Sequence, residues 1–155
     1  MANFYLAANA LVERDGKYLM IEEGKDYVKG TWNIPGGGVE NDEDPVEAVK
    51  RELKEETGLD VTQINGLLGV YSSKSAKDGH PVKVFVFECE TEDETPEPEL
   101  EDEILDAKFM DVEEIREKEL RNDIIFTSIE NKQKGKKLPV ENFEDYKHPY
   151  LEEEP

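Results

Sequence analysis

Residues 37–59, GGVENDEDPVEAVKRELKEETGL, restrict the folding options of this chain more than any other stretch. A helix is marked there at both ends. Asp44 can cap free backbone N–H groups, Pro45 suits the first helical position, and Glu47 completes a capping-box pattern. Gly58 stops the helix after Thr57. Val46, Val49 and Leu53 form an apolar stripe able to seat the helix on a sheet. Beside it run Glu52, Glu55 and Glu56, related as i, i+3 and i+4 within an arc of about 100°. Ala48 falls one turn before Glu52 in the carboxylate stripe, where a small side chain would leave room for ions. Arg51 can reach Glu47 or Glu55 and hold a carboxylate in place.

Taken alone, three glutamates on a helix favour a solvated acidic face. Aspartate and glutamate make up 39 of the 155 residues, so such matches arise easily, and neighbouring like charges cost little when solvated. The net charge of −20 predicts a chain that repels nucleic acid and anionic membrane. A polyphosphate would be repelled too, unless metal ions neutralise its site. The acidity could reflect a saline habitat, although lysine supplies 15 of the 19 basic residues.

The length predicts one domain over residues 1–155, with C-terminal helices and a tail from about 111 onward. One cysteine, Cys89, excludes an internal disulfide and fits a reducing compartment as a buried strand residue. No basic leader or bilayer-length apolar run is evident, so the expected location is the cytoplasm.

Residues 4–13 and 17–23 flank Asp15-Gly16, a hairpin signal. A loop leads to TWNIPGGG, read as a glycine-rich turn before the helix. Residues 64–73 and 81–90 are expected strands, the second alternating well enough to bury one face. TEDETPEPELEDE reads as a solvated, mobile connection. ILDAKFMD reads as a strand, and VEEIREKEL and NDIIFTSIENKQK as helices. Phe143, Tyr146 and Tyr150 in the tail are expected to pack back on the domain.

The 37–59 segment resembles the Nudix box, G-x5-E-x7-R-E-U-x-E-E-x-G-U with U aliphatic. Gly37, Glu43, Arg51, Glu52, Leu53, Glu55, Glu56, Gly58 and Leu59 fill it without departure. Arg51, Gly37 and Gly58 carry most of the specificity, because the chain has only four arginines and eleven glycines. The resemblance implies an α+β fold, a mixed curved sheet sandwiched between helices, with the loop–helix–loop box forming the site. It also implies that Glu52, Glu55 and Glu56, helped by the Gly36 carbonyl, bind Mg²⁺ or Mn²⁺. Such ions polarise a phosphoanhydride and lower the pKa of an attacking water. Glu43 is then expected to orient Arg51 or an outer-shell water. The general base is open between Glu52 and Glu103, which precedes the ILDAKFMD strand and could also bind metal; as an alternative, Glu103 is one more charge in an acidic loop.

Trp32, Asn33, Gly37 and Gly38 are the candidate substrate contacts. Trp32 either stacks on a base or fills a structural seam, and Asn33 either reads a base edge or bonds to the backbone. His80 and His148 lack metal-ligand spacing and read as surface residues, and KQKGKK reads as a solvated helix end. WNIPGG, the box, Leu120-Arg121-Asn122 and Leu138-Pro139 are similar to the NudJ-type branch of the family. That likeness implies hydrolysis of nucleoside di- and triphosphates or other small pyrophosphates. The alternatives are an ADP-ribose or dinucleoside polyphosphate pyrophosphatase, or a catalytically silent nucleotide-binding module.

Overall fold

The computed structural model describes residues 3–99 and 103–141. In chain order the elements are β1 (Tyr5–Arg14), β2 (Lys17–Glu23), β3 (Trp32–Asn33), β4 (Gly36–Gly38), α1 (Pro45–Thr57), β5 (Val61–Lys74), β6 (Pro81–Thr91), β7 (Ile104–Met110), α2 (Val112–Arg116) and α3 (Ile124–Gln133). The seven strands form one mixed, curved sheet ordered β3-β2-β1-β6-β5, with β4 also paired to β1 and β7 to β2. β1 and β6 run parallel from Tyr5↔Val82 to Val12↔Cys89, and the other pairings are antiparallel. The β1–β2 hairpin turns at Asp15 and Gly16, both with positive φ, as the Asp-Gly signal predicts.

Strand alternation divides the core. Ala8, Ala10 and Val12 of β1 face α1, where Ala48, Val49 and Leu53 are buried with Leu19 and Phe87. Leu11 points the opposite way, into a cluster with Met20, Trp32, Val86, Met110, Ile115, Ile125 and Ile129. The sheet is therefore covered by α1 on one face and by α2 and α3 on the other. Helix α1 has the expected caps: the Asp44 carboxylate accepts from Glu47 N at 2.8 Å, and Gly58 closes the helix in the left-handed region. Ala48 departs from expectation. It is fully buried under α1, and the narrow Ala8–Ala10 surface of β1 receives it, so it leaves no room beside the carboxylates.

Four other expectations change. The glycine run 36–38 is a strand, paired to Ala7–Asn9, rather than a turn. The helix begun at Val112 ends at Arg116, because Trp32 and Leu120 form a parallel bridge and draw the following backbone alongside β3. The acidic connection after β6 is tied down where described. Arg14 donates to the carbonyls of Glu92 and Glu94 at 2.8 Å each, and Glu97 N donates to Thr57 O at 2.8 Å. In the KQKGKK run, residues 133–137 are exposed as expected, but Lys137 and Lys132 reach the buried Glu88 carboxylate at 2.8 and 3.7 Å, so this solvated helix end is also pinned to the sheet. Phe143, Tyr146, Tyr150 and His148 lie outside the described residues. Cys89 is a free, buried strand residue, and burial pushes its thiol up to about 12. No helix among the described residues is long and apolar enough to cross a membrane.

Candidate active site

The carboxylate stripe of α1 faces a cleft of about 310 Å³, walled on the other side by β1, β4, β6 and the start of α3. Among its lining residues are Gly36, Gly37, Glu52, Glu55, Glu56 and Glu103. The glycine strand can lie this close to the helix only without side chains. A Cβ on Gly37 would stand 2.6 Å from the Glu52 carboxyl carbon, and one on Gly36 would overlap the Asn9 side chain. Gly36 N donates to Glu56 Oε1 at 2.7 Å, joining strand and helix at the site itself.

Arg51 organises the carboxylates. Its Nε and Nη2 donate to Glu43 at 3.1 and 2.6 Å, Nη1 to Glu52 Oε1 at 2.9 Å and to Glu55 Oε2 at 3.3 Å, and Nη2 to the Gly38 carbonyl at 2.9 Å. Arg51 therefore orients Glu52 and Glu55, the second a partner its spacing allowed, and is itself held by Glu43, as the family resemblance implied. The Arg51 hydrogen bond lowers the Glu43 carboxyl below its ordinary value. Burial raises Glu52, with the Arg51 hydrogen bond opposing. Glu56 keeps some surface on the cleft but is hemmed in by protein. Burial pushes its carboxyl well above the ordinary value, the Gly36 N–H opposes this, and the charges of Glu52 and Glu23 add to the rise.

Among the described residues, no three carboxylate, imidazole or thiol groups converge on one point at ligand distance. The donor chemistry nevertheless fits a hard dication: carboxylates on adjacent helical turns, the Gly36 backbone beside them, and like charges that raise the cost of ionising Glu56. Bringing the oxygens together requires Glu55, which is exposed, to swing from Arg51 toward Glu56.

Asn33 and Gly38 also line the cleft, and Asn33 Oδ1 accepts from Ile34 N at 2.9 Å, the backbone-bonding alternative. Trp32 does not border the cleft. It is 7% exposed, its ring fills the seam under α2, and Lys108 and Lys118 lie 5.7 and 5.4 Å from the ring centre. Packing, rather than base stacking, is what its position provides. Glu103 stands at the cleft rim with Lys25 Nζ at 4.0 Å. His80 lies against Tyr5, ring centres 4.4 Å apart.

Sequence reasoning missed Glu23, Lys25 and Arg121, all on the cleft. Glu23 is buried at the end of β2 and pairs with Arg121 at 3.0 Å. The available signals were the scarcity of arginine and the Leu120-Arg121-Asn122 likeness; the pairing with Glu23 spans 98 positions and left no local trace.

A family model described as NUDIX domain matches residues 4–127. The chain belongs to the Nudix family. Phosphatase NudJ of Escherichia coli (strain K12) is 32% identical over 147 residues, covering 94% of both chains. An ADP-ribose pyrophosphatase of Methanocaldococcus jannaschii is 42% identical over 80 residues, which span 51% of this chain and 47% of that protein. Among solved structures, a NUDIX hydrolase from Nitrosomonas europaea aligns with a TM-score of 0.82 at 29% identity, covering 93% of this chain and 98% of that one. These relatives place the chain among the Nudix hydrolases, which use divalent metal ions. The Arg51–Glu52–Glu55–Glu56 constellation is its Nudix box.

Proposed function

We propose that this Nudix protein hydrolyses a phosphoanhydride bond in a nucleoside di- or triphosphate or a related small pyrophosphate, using Mg²⁺ or Mn²⁺. The observation that carries the reading is the packing of Glu52 against Gly37 and of Glu56 on the Gly36 N–H, which puts both carboxylates on the cleft. Glu52, Glu55, Glu56 and the Gly36 carbonyl would hold the cation. When bound, it supplies charge neutralisation, polarisation of the anhydride and a more acidic water.

The protein's own groups do the rest. Arg51 fixes Glu52 through Oε1, which leaves Oε2 to take the proton from an attacking water. Burial raises the proton affinity of Glu52 toward that task. Glu103, at the rim, is the second candidate for the proton. Gly37 and Gly38 bring backbone close to the phosphates, and Asn33 borders the substrate space.

ADP-ribose is the second reading, favoured by the name of the Methanocaldococcus relative. The likeness to NudJ runs over nearly the whole chain and supports the broader substrate class. The test is a chromatographic product screen with Mg²⁺ over nucleoside polyphosphates, ADP-ribose, dinucleoside polyphosphates and other small pyrophosphates such as those of the thiamine pathway, with the products of each identified. Cleavage of the first or last group supports the reading. Turnover of ADP-ribose alone would replace it, and cleavage of none would defeat it.

A further inference from the structure

The four arginines have different duties. Arg14 ties the acidic loop, Arg116 pairs with Glu113 at the surface, and Arg51 binds the box carboxylates. Arg121 is the one that borders the cleft. Its position is built by the fold: Trp32 N donates to Glu119 O at 2.9 Å and Arg121 N to Trp32 O at 3.0 Å, so residues 119–121 run along β3. Arg121 Nη1 donates to Glu23 Oε1 at 3.0 Å, and the Glu23 side chain is 7% exposed. Among the described residues, the remaining guanidinium N–H groups of Arg121 meet no acceptor.

The charge balance of the cleft gives this arginine a purpose. Glu23, Glu52, Glu55, Glu56 and Glu103 line it against Lys25, Lys74 and Arg121, so the described walls are negative by two. Cations on the box carboxylates can offset only the phosphate oxygens they touch. The rest of a phosphate chain needs its own donors, and a guanidinium held along one edge presents the other as a fork suited to phosphate oxygens.

We propose that Arg121, oriented by Glu23, grips the substrate's phosphate chain beyond the cation site. This deepens the hydrolase reading and rests on it. The competing account makes Arg121 only the counter-ion of a buried Glu23. Two variants separate them: Arg121→Gln, and the double variant Glu23→Gln/Arg121→Gln, which leaves no bare buried charge and so remains informative if the single variant fails to fold. The readout is calorimetric binding of inorganic pyrophosphate with Mg²⁺, together with kcat and KM on the preferred substrate. Both variants should bind pyrophosphate at least about tenfold more weakly, with KM rising more than kcat falls. A double variant that binds within about twofold of the wild type would overturn the proposal. Binding needs no turnover, so the two readings fail separately. A wild type that cleaves nothing, yet loses pyrophosphate on substitution, would defeat the substrate assignment and leave this role of Arg121 standing.

Discussion

Gly37→Ala separates site geometry from fold stability. The backbone at Gly37 lies outside the left-handed region, so alanine meets no conformational penalty there. Its Cβ would stand 2.6 Å from Glu52 Cδ and Oε1 and 2.8 Å from Oε2, whereas carbon atoms pack comfortably at about 3.5–4.0 Å. The carboxylate must therefore retreat by about 1 Å, and it can do so because it is the far end of a flexible side chain open to the cleft. The retreat strains its 2.9 Å bond to Arg51 and moves the oxygens meant for the cation and the attacking water. A displacement of that size at a reacting group costs about 100-fold in rate. Removing glycine's freedom in the unfolded chain offsets the small strain, so Tm should stay within about 4 °C of the wild type. The assay is kcat at saturating Mg²⁺ beside a thermal melt. A rate within about threefold of wild type would refute the claim that the approach of Gly37 to Glu52 sets the site.

Glu55→Gln or Glu56→Gln should lower turnover by several orders of magnitude while circular dichroism stays native; near-normal rates at saturating Mg²⁺ would remove both from the cation site. The metal-free protein should lose stability as pH rises from the ordinary glutamate value of 4.5, because the folded Glu56 holds its proton more tightly than the unfolded one. Its contribution is complete below that pH and disappears as pH climbs through the raised value. Melts in EDTA should therefore show a steeper decline with pH for wild type than for Glu56→Gln, with Mg²⁺ restoring more stability at the alkaline end. Parallel curves for the two proteins would contradict this. Glu103→Gln should slow hydrolysis, and unchanged steady-state kinetics would reduce Glu103 to a surface charge.

Whatever depended on neighbours within a turn or two was legible in the chain. Asp44, Pro45, Glu47 and Gly58 delimit α1 by short-range hydrogen bonds, and the 3.6-residue period alone places Glu52, Glu55 and Glu56 on one stripe. Arg51 could be matched to Glu55 for the same reason, whereas its bond to Glu43, which lies ahead of the helix, followed only from the family resemblance. The strands around the box were also readable, to within a few residues, from alternation and the Asp-Gly turn.

Long-range partners decided the rest. Gly36–Gly38 became a strand because β1 offered it an edge, and a glycine run carries no side-chain pattern to announce that. Ala48 turned to the core because Ala8 and Ala10 present a surface close enough to need a methyl group there. The helix at Val112 stopped early when Trp32 captured the next backbone segment, and the same capture brought Arg121 to Glu23. Burial, which raises Glu56 and encloses the cleft, is a property of the assembled layers. Hydrogen bonds within one helix are fixed by sequence spacing, whereas desolvation and cross-chain pairing exist only once the sheet and helices have closed on one another.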